Sequence, residues 1–109
     1  MKLYAQYLKE HHGDEIVFTD KGFATYRYIS DDTVYIVDIY VLPEFRKSKE
    51  ASLMADEIIA LAKARGCKKM IGTVVPAARN STDSVNVLLR YGMTLSHIDG
   101  GLVVFRKDI

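Results

Sequence analysis

The sequence has a single cysteine, two prolines and almost no charge excess: 15 Lys and Arg stand against 14 Asp and Glu, a formal net charge of +1. With Cys67 alone, no disulfide can close within the chain, and an intracellular, cytoplasmic setting fits. The near-neutral balance gives no whole-protein field to attract nucleic acid, so no such partner is expected. No apolar run approaches the ~20 residues that span a bilayer, so no membrane partner is expected either. The start, Met1-Lys-Leu-Tyr4, has no signal-peptide pattern. Internal repeats and low-complexity tracts are also missing. What is there suits one small domain over residues 1–109, with one modest core. Apolar residues make up 49% of the chain, too many for a disordered one.

The two prolines punctuate the stretch around which the chain is organised. Tyr35 to Leu42 is β-branched and aromatic, as strands prefer, and Pro43 ends it. A basic loop, Arg46-Lys-Ser-Lys49, follows. Glu50 to Arg65 then has helical spacing, with Met54, Ile58, Leu61 and Ala62 on one face. Gly66 is placed to cap it. Met70 to Val75 is the next strand, closed by Pro76. A strand–helix–strand of this length predicts a right-handed parallel crossover. Its loop puts backbone amides at a helix N-terminus, where anions are held.

The remaining elements follow from period and punctuation. Leu3 to His12 reads as a short helix with Leu3, Tyr4, Tyr7 and Leu8 as its apolar stripe, stopped by Gly13. The stripe either docks on a sheet or lines a cleft. His11 and His12 suit the last turn. Adjacent histidines on a helix point apart, so no metal site is expected there. Glu15–Thr19, Phe23–Ile29 and Thr33–Leu42 form an antiparallel meander across two tight turns. After the loop Ala77 to Thr82, Thr82 or Asp83 could cap a helix carrying Val85, Leu88, Leu89 and Met93. Thr94–Ile98 and Leu102–Lys107 flank Asp99-Gly-Gly101, a strong hairpin signal. The order α-β-β-β-α-β-α-β-β makes an α/β (α+β) fold: a mixed, mainly antiparallel sheet with one parallel βαβ crossover.

The segment Ile39-Tyr-Val-Leu-Pro-Glu-Phe-Arg46 resembles the centre of the GNAT family of N-acetyltransferases, and so does the element order. That family's pyrophosphate loop, Arg/Gln-x-x-Gly-x-Gly/Ala, falls on Arg46 to Ala51. Arg46 and Ala51 fit, and Lys49 stands where the family has its middle glycine. Ser84 to Met93 is similar to a second family segment, with Gly92-Met93 for Gly-Phe. Leu88 occupies a slot that often holds tyrosine, and Asn80 is displaced by one position from the family's asparagine. The front of the chain is shorter than the family's by a strand and some helix.

The resemblance implies an acyl-CoA N-acyltransferase-like fold, acetyl-CoA as cosubstrate and an amine acceptor. Its cofactor-binding positions are Ile39 and Val41 through their backbone, Asn80, and the loop Arg46, Lys47, Ser48, Lys49, Glu50 and Ala51. Glu50 would repel a diphosphate, though helix N-termini also favour a carboxylate for its own sake. Asp38 is placed as general base. Its other reading is a surface carboxylate paired with Arg27 or Lys21 across the sheet. Tyr91, one turn beyond Leu88, is the candidate general acid or else a core aromatic. Gly72 marks a bulge, a close backbone approach, or neutral packing. Cys67 reads as a buried structural thiol. Two functions follow. One is N-acetyl transfer to an amine of a protein or small molecule, by direct reaction in a ternary complex. The other is a non-catalytic protein on this fold that acts through a protein partner. Self-association as a homodimer could cover the tyrosine helix and a free sheet edge.

Overall fold

A computed structural model describes residues 2–76 and 81–109; of residues 81–84 it describes the backbone alone. The elements, in chain order, are α1 (Lys2–His12), β1 (Glu15–Phe18), β2 (Gly22–Tyr28), β3 (Thr33–Val41), α2 (Glu50–Ala64), β4 (Lys69–Val74), α3 (Ser81–Arg90), β5 (Thr94–Asp99) and β6 (Leu102–Asp108). A single 3₁₀ turn, Pro43–Phe45, follows β3. The expected order and fold class are those observed.

One sheet holds all six strands in the order β1-β2-β3-β4-β6-β5. Only β3 and β4 are parallel, joined by the α2 crossover; the other neighbours run antiparallel. Gly100 and Gly101 both hold positive φ, 55° and 84°, as the two-residue turn between β5 and β6 demands.

The core lies between the sheet and the pair α2 and α3. Met54, Ile58 and Ala62 of α2 meet Ala24 and Tyr26 of β2, Val34 and Ile36 of β3, and Met70 and Val74 of β4. Met54 and Ile58 are 1% and 0% exposed, each worth about 1.5–3 kcal/mol of transfer free energy. The end of α2 is a Schellman motif: the Gly66 amide donates to the Lys63 carbonyl and the Cys67 amide to that of Ala62, both at 3.0 Å, with Gly66 at φ 93°. That turn buries Cys67, and burial pushes its thiol pKa up.

The other sheet face carries α1. Tyr4 meets Phe23 edge-on at 5.9 Å, and Phe23 stacks on Tyr40 at 5.7 Å. Of the expected α1 stripe only Leu8 is buried; Leu3, Tyr4 and Tyr7 are exposed. The short helix packs mainly on β1, at one edge of the sheet, so most of its first turns stay in the open. A second correction concerns α3. It starts at Ser81, so Thr82 and Asp83 lie in its first turn and do not precede it as caps. Asn80 lies outside the described residues.

Candidate functional site

The sheet forks between its parallel strands. β3 and β4 pair as Thr33↔Lys69, Val34↔Met70, Tyr35↔Ile71 and Ile36↔Gly72, and there the pairing stops. β3 runs on to Val41 beside β2, and β4 runs on to Val74 beside β6. Beyond the last rung, the facing backbone edges have no ladder partner in each other. Such edges accept another extended chain of donors and acceptors.

A bulge explains the fork. Thr25 pairs with Asp38, but Tyr26 pairs with Ile36, so β3 carries one extra residue at Val37. An extra residue bends its strand and raises the local twist. It also resets the alternation. Val34, Ile36, Ile39 and Val41 pack on the α2 side, while Tyr35, Asp38 and Tyr40 share the α1 side. Regular alternation would put Tyr35 and Asp38, three apart, on opposite faces. The bulge is not at Gly72, which pairs regularly with Ile36 and Phe105. A Cβ on Gly72 would make ordinary contacts with Leu88 and Met93 at 3.7 Å.

The loop after Pro43 is tied to itself and to β3. Arg46 Nε donates to the Val41 carbonyl at 2.9 Å, and the guanidinium lies 5.5 Å from the Tyr40 ring centre. Ser48 Oγ donates to the Phe45 carbonyl and accepts from the Glu50 amide at 3.3 Å. The Leu53 amide donates to the Lys49 carbonyl, so Glu50, Ala51 and Ser52 are the residues whose amides have no acceptor inside α2. Lys49 supplies no side-chain cap. Its backbone, at φ −90° and ψ 9°, suits any residue, so no glycine is needed there for backbone reasons. The strained position is Lys47, at φ 64°. Glu50 turns its carboxylate away from the loop, to Lys21 Nζ at 3.6 Å and Thr19 Oγ1 at 3.5 Å.

Asp38 is exposed, and both cations that could neutralise it across the sheet are engaged elsewhere. Arg27 Nε lies 2.6 Å from Asp14 Oδ1, and Lys21 faces Glu50. Among the described residues Asp38 makes no ion pair. Directly across from it, Thr25 is 2% exposed and its Oγ1 has no hydrogen-bond partner.

Tyr91 is on the opposite face, packed against the core. Its hydroxyl donates to Asp56 Oδ1 at 2.6 Å. Burial first, and that bond second, push its pKa well above the usual tyrosine range. The structure therefore gathers Ile39, Val41 and the 46–51 loop at the open end of the fork and Asp38 beside it, but sets Tyr91 apart. Sequence reasoning overlooked Tyr35 and Thr73, whose hydroxyls lie 2.8 Å apart where the strands part. The signal was faint: an aromatic and a threonine in two strands look like ordinary β-formers.

A sequence profile described as the Acetyltransferase (GNAT) family matches residues 2–92. Comparison with curated proteins gives no match. Solved structures give many. A GNAT family acetyltransferase from Elizabethkingia anophelis with acetyl-CoA bound is 15% identical, covers 99% of this chain and 82% of its own, and has a TM-score of 0.74. The PaiA N-acetyltransferase from Thermoplasma acidophilum in complex with coenzyme A is 17% identical over 99% of this chain and 69% of its own, at TM-score 0.77. The anti-CRISPR protein AcrVA5 is 17% identical over 84% of this chain and 96% of its own, at TM-score 0.67. At these identities the structures speak for the fold, and the profile, which spans most of the chain, speaks for the family: this protein belongs to the GNAT acetyltransferases.

Proposed function

We propose that the protein transfers an acetyl group from acetyl-CoA to an amine of a protein or small molecule, directly, with both substrates bound. One observation carries this reading: β3 and β4 stop pairing at Ile36↔Gly72 and yet both continue as strands. Two solved neighbours, with acetyl-CoA and with coenzyme A bound, support it.

The residues present fit such a ligand. An amide-bearing pantetheine arm needs backbone partners in extended geometry, and the β3 edge from Val37 to Val41 offers them. A diphosphate needs amides at a helix start, and those of Ala51 and Ser52 have no acceptor inside α2. Arg46, Lys47 and Lys49 give the loop before that point positive charge, while the Glu50 carboxylate is held by Lys21. Glu50 thus contributes its place at the helix start, and its charge is directed elsewhere. Acetyl-CoA, once bound, supplies an activated carbonyl carbon and a thiolate leaving group.

The rest of the chemistry falls to the chain. A backbone N–H near Val41 would polarise the acyl oxygen. Asp38, exposed and without an ion pair among the described residues, would take the proton that the attacking amine must lose. A non-catalytic role through a protein partner is supported by Leu88 in the slot that the resemblance gives to tyrosine. Acetyl-CoA titration watched by thermal melting and calorimetry separates the two. A ligand that binds only the folded state raises the melting temperature. No shift and no heat at millimolar acetyl-CoA would eliminate the enzyme reading.

A further inference from the structure

Acetyl transfer ends with a thiolate that needs a proton, and neither residue expected on α3 can readily supply one. Leu88 has no donor. Tyr91 donates its hydrogen bond to Asp56 on the far face of the sheet, and its raised pKa makes it a poorer acid. On the face of Asp38 there is another phenol. Tyr35 Oη lies 2.8 Å from Thr73 Oγ1, in a partly buried pair 38 residues apart in sequence.

Its position is what matters. Tyr35↔Ile71 and Ile36↔Gly72 are the last two rungs before the fork, and Thr73 is the first residue of β4 past them. The hydroxyl pair therefore spans the vertex. The bulge at Val37 turns Tyr35 onto the same face as Asp38. One face of one strand thus carries a carboxylate and a phenol three residues apart, at the closed end of the cleft.

We propose that Tyr35 is the proton donor to the departing thiolate, with Thr73 as the residue that positions and reprotonates it. This rests on the acetyl-transfer reading. The amine nitrogen bonds to the acyl carbon as the carbon–sulfur bond breaks. The sulfur leaves with the electron pair and takes the Tyr35 proton. Asp38 takes the proton lost by the amine. The Tyr35 oxygen is restored through the Thr73 hydroxyl, which draws on water. The products are an amide, a thiol and a protonated Asp38, which then loses that proton to solvent. A thiol is somewhat more acidic than a phenol, so the transfer must be assisted by charge nearby. Arg27 lies directly across from Tyr35 on β2, and Arg106 lies one strand beyond, across from Ile71. Their own partners are Asp14, at the end of α1, and Asp108. Among the described residues, Lys69 on β4 and Asp38 on β3 also lie on this face, and His97 of β5 lines the same surface as Lys69 and Arg106.

The test compares Tyr35→Phe with wild type, using spermidine and a lysine-containing peptide as acceptors. The readouts are thiol release and acetyl-CoA affinity by calorimetry. Tyr35→Phe is expected to lower kcat by roughly 10²-fold with acetyl-CoA affinity unchanged. Repeating the assay with an aryl thioester separates chemistry from structure, because an arylthiolate leaves without a proton. The deficit is expected to shrink to within a few-fold there. Thr73→Val should reproduce part of the loss, and Thr73→Ser should restore it. Wild-type kcat in Tyr35→Phe, or an equal deficit with both thioesters, would overturn the assignment. Wild-type protein that binds acetyl-CoA but releases no thiol with any acceptor would overturn the transfer reading, and this one with it.

Discussion

Arg27 and Asp14 form an ion pair at 2.6 Å, on the sheet face that also carries Asp38. Asp14 is 4% exposed, so its charge would be costly without a partner. It claims the one cation on β2 that shares a face with Asp38. Lys21 is claimed in turn by Glu50. Asp38 is thereby left without an ion pair among the described residues.

Asp38→Asn should lower turnover by roughly 10²–10⁴-fold with little change in acetyl-CoA affinity. Steady-state kinetics and calorimetry on the same preparation check this. Wild-type turnover would return Asp38 to the status of a surface carboxylate. Asp14→Asn gives a second view. It frees Arg27 to approach Asp38, so it too should reduce turnover while leaving the Asp38 side chain in place.

The loop makes opposite demands on its two lysines. Lys47 holds a positive φ that costs an L-residue about 1–2 kcal/mol. Lys47→Gly should therefore keep or raise the melting temperature, despite the added chain entropy. Lys49 has an ordinary backbone, so Lys49→Gly should lower it. For acetyl-CoA, Lys49→Gly and Lys49→Ala should both weaken binding, with the loss shrinking as salt rises. A tighter Lys49→Gly variant would instead mean that the side chain obstructs the site.

Stability should fall in alkali in a way that Tyr26 controls. Burial is the main cause that raises its pKa from 10.0 to about 12, with Tyr28 next. The neutral phenol is favoured in the fold, so its contribution is complete below pH 10 and is lost as pH rises through 12. Urea unfolding between pH 9 and 12 should show a steeper decline for wild type than for Tyr26→Phe. Equal slopes would remove Tyr26 as the cause.

Most of the fold was legible because its signals are local. Pro43, Pro76, Gly66 and the Gly100-Gly101 pair punctuate the elements, and period two or 3.6 fills the intervals. The Arg46–Ala51 loop could be placed because its chemistry is contiguous in sequence. What could not be read depends on pairing between distant segments. The bulge at Val37 exists only in the register of β3 against β2, and it decides which face Tyr35 shares. Whether Asp38 is paired depended on Asp14, outside any motif. A motif position identifies a residue without giving its φ: Lys49 stands at the glycine position with an ordinary backbone, and the left-handed residue is its neighbour but one, Lys47. The Tyr4 and Tyr7 stripe was overread, since a helix can have an apolar side with little sheet beneath it.

The central claim is that the fork between β3 and β4 receives acetyl-CoA. Amide resonances followed through a titration with acetyl-CoA test it most directly, because each limb of the fork and the start of α2 report separately. The expected result is saturable shifts concentrated in Val37–Val41, Lys47–Ser52 and Gly72–Val74, with the β5 edge unmoved. Shifts absent at millimolar ligand, or confined to β5 and β6, would contradict the account.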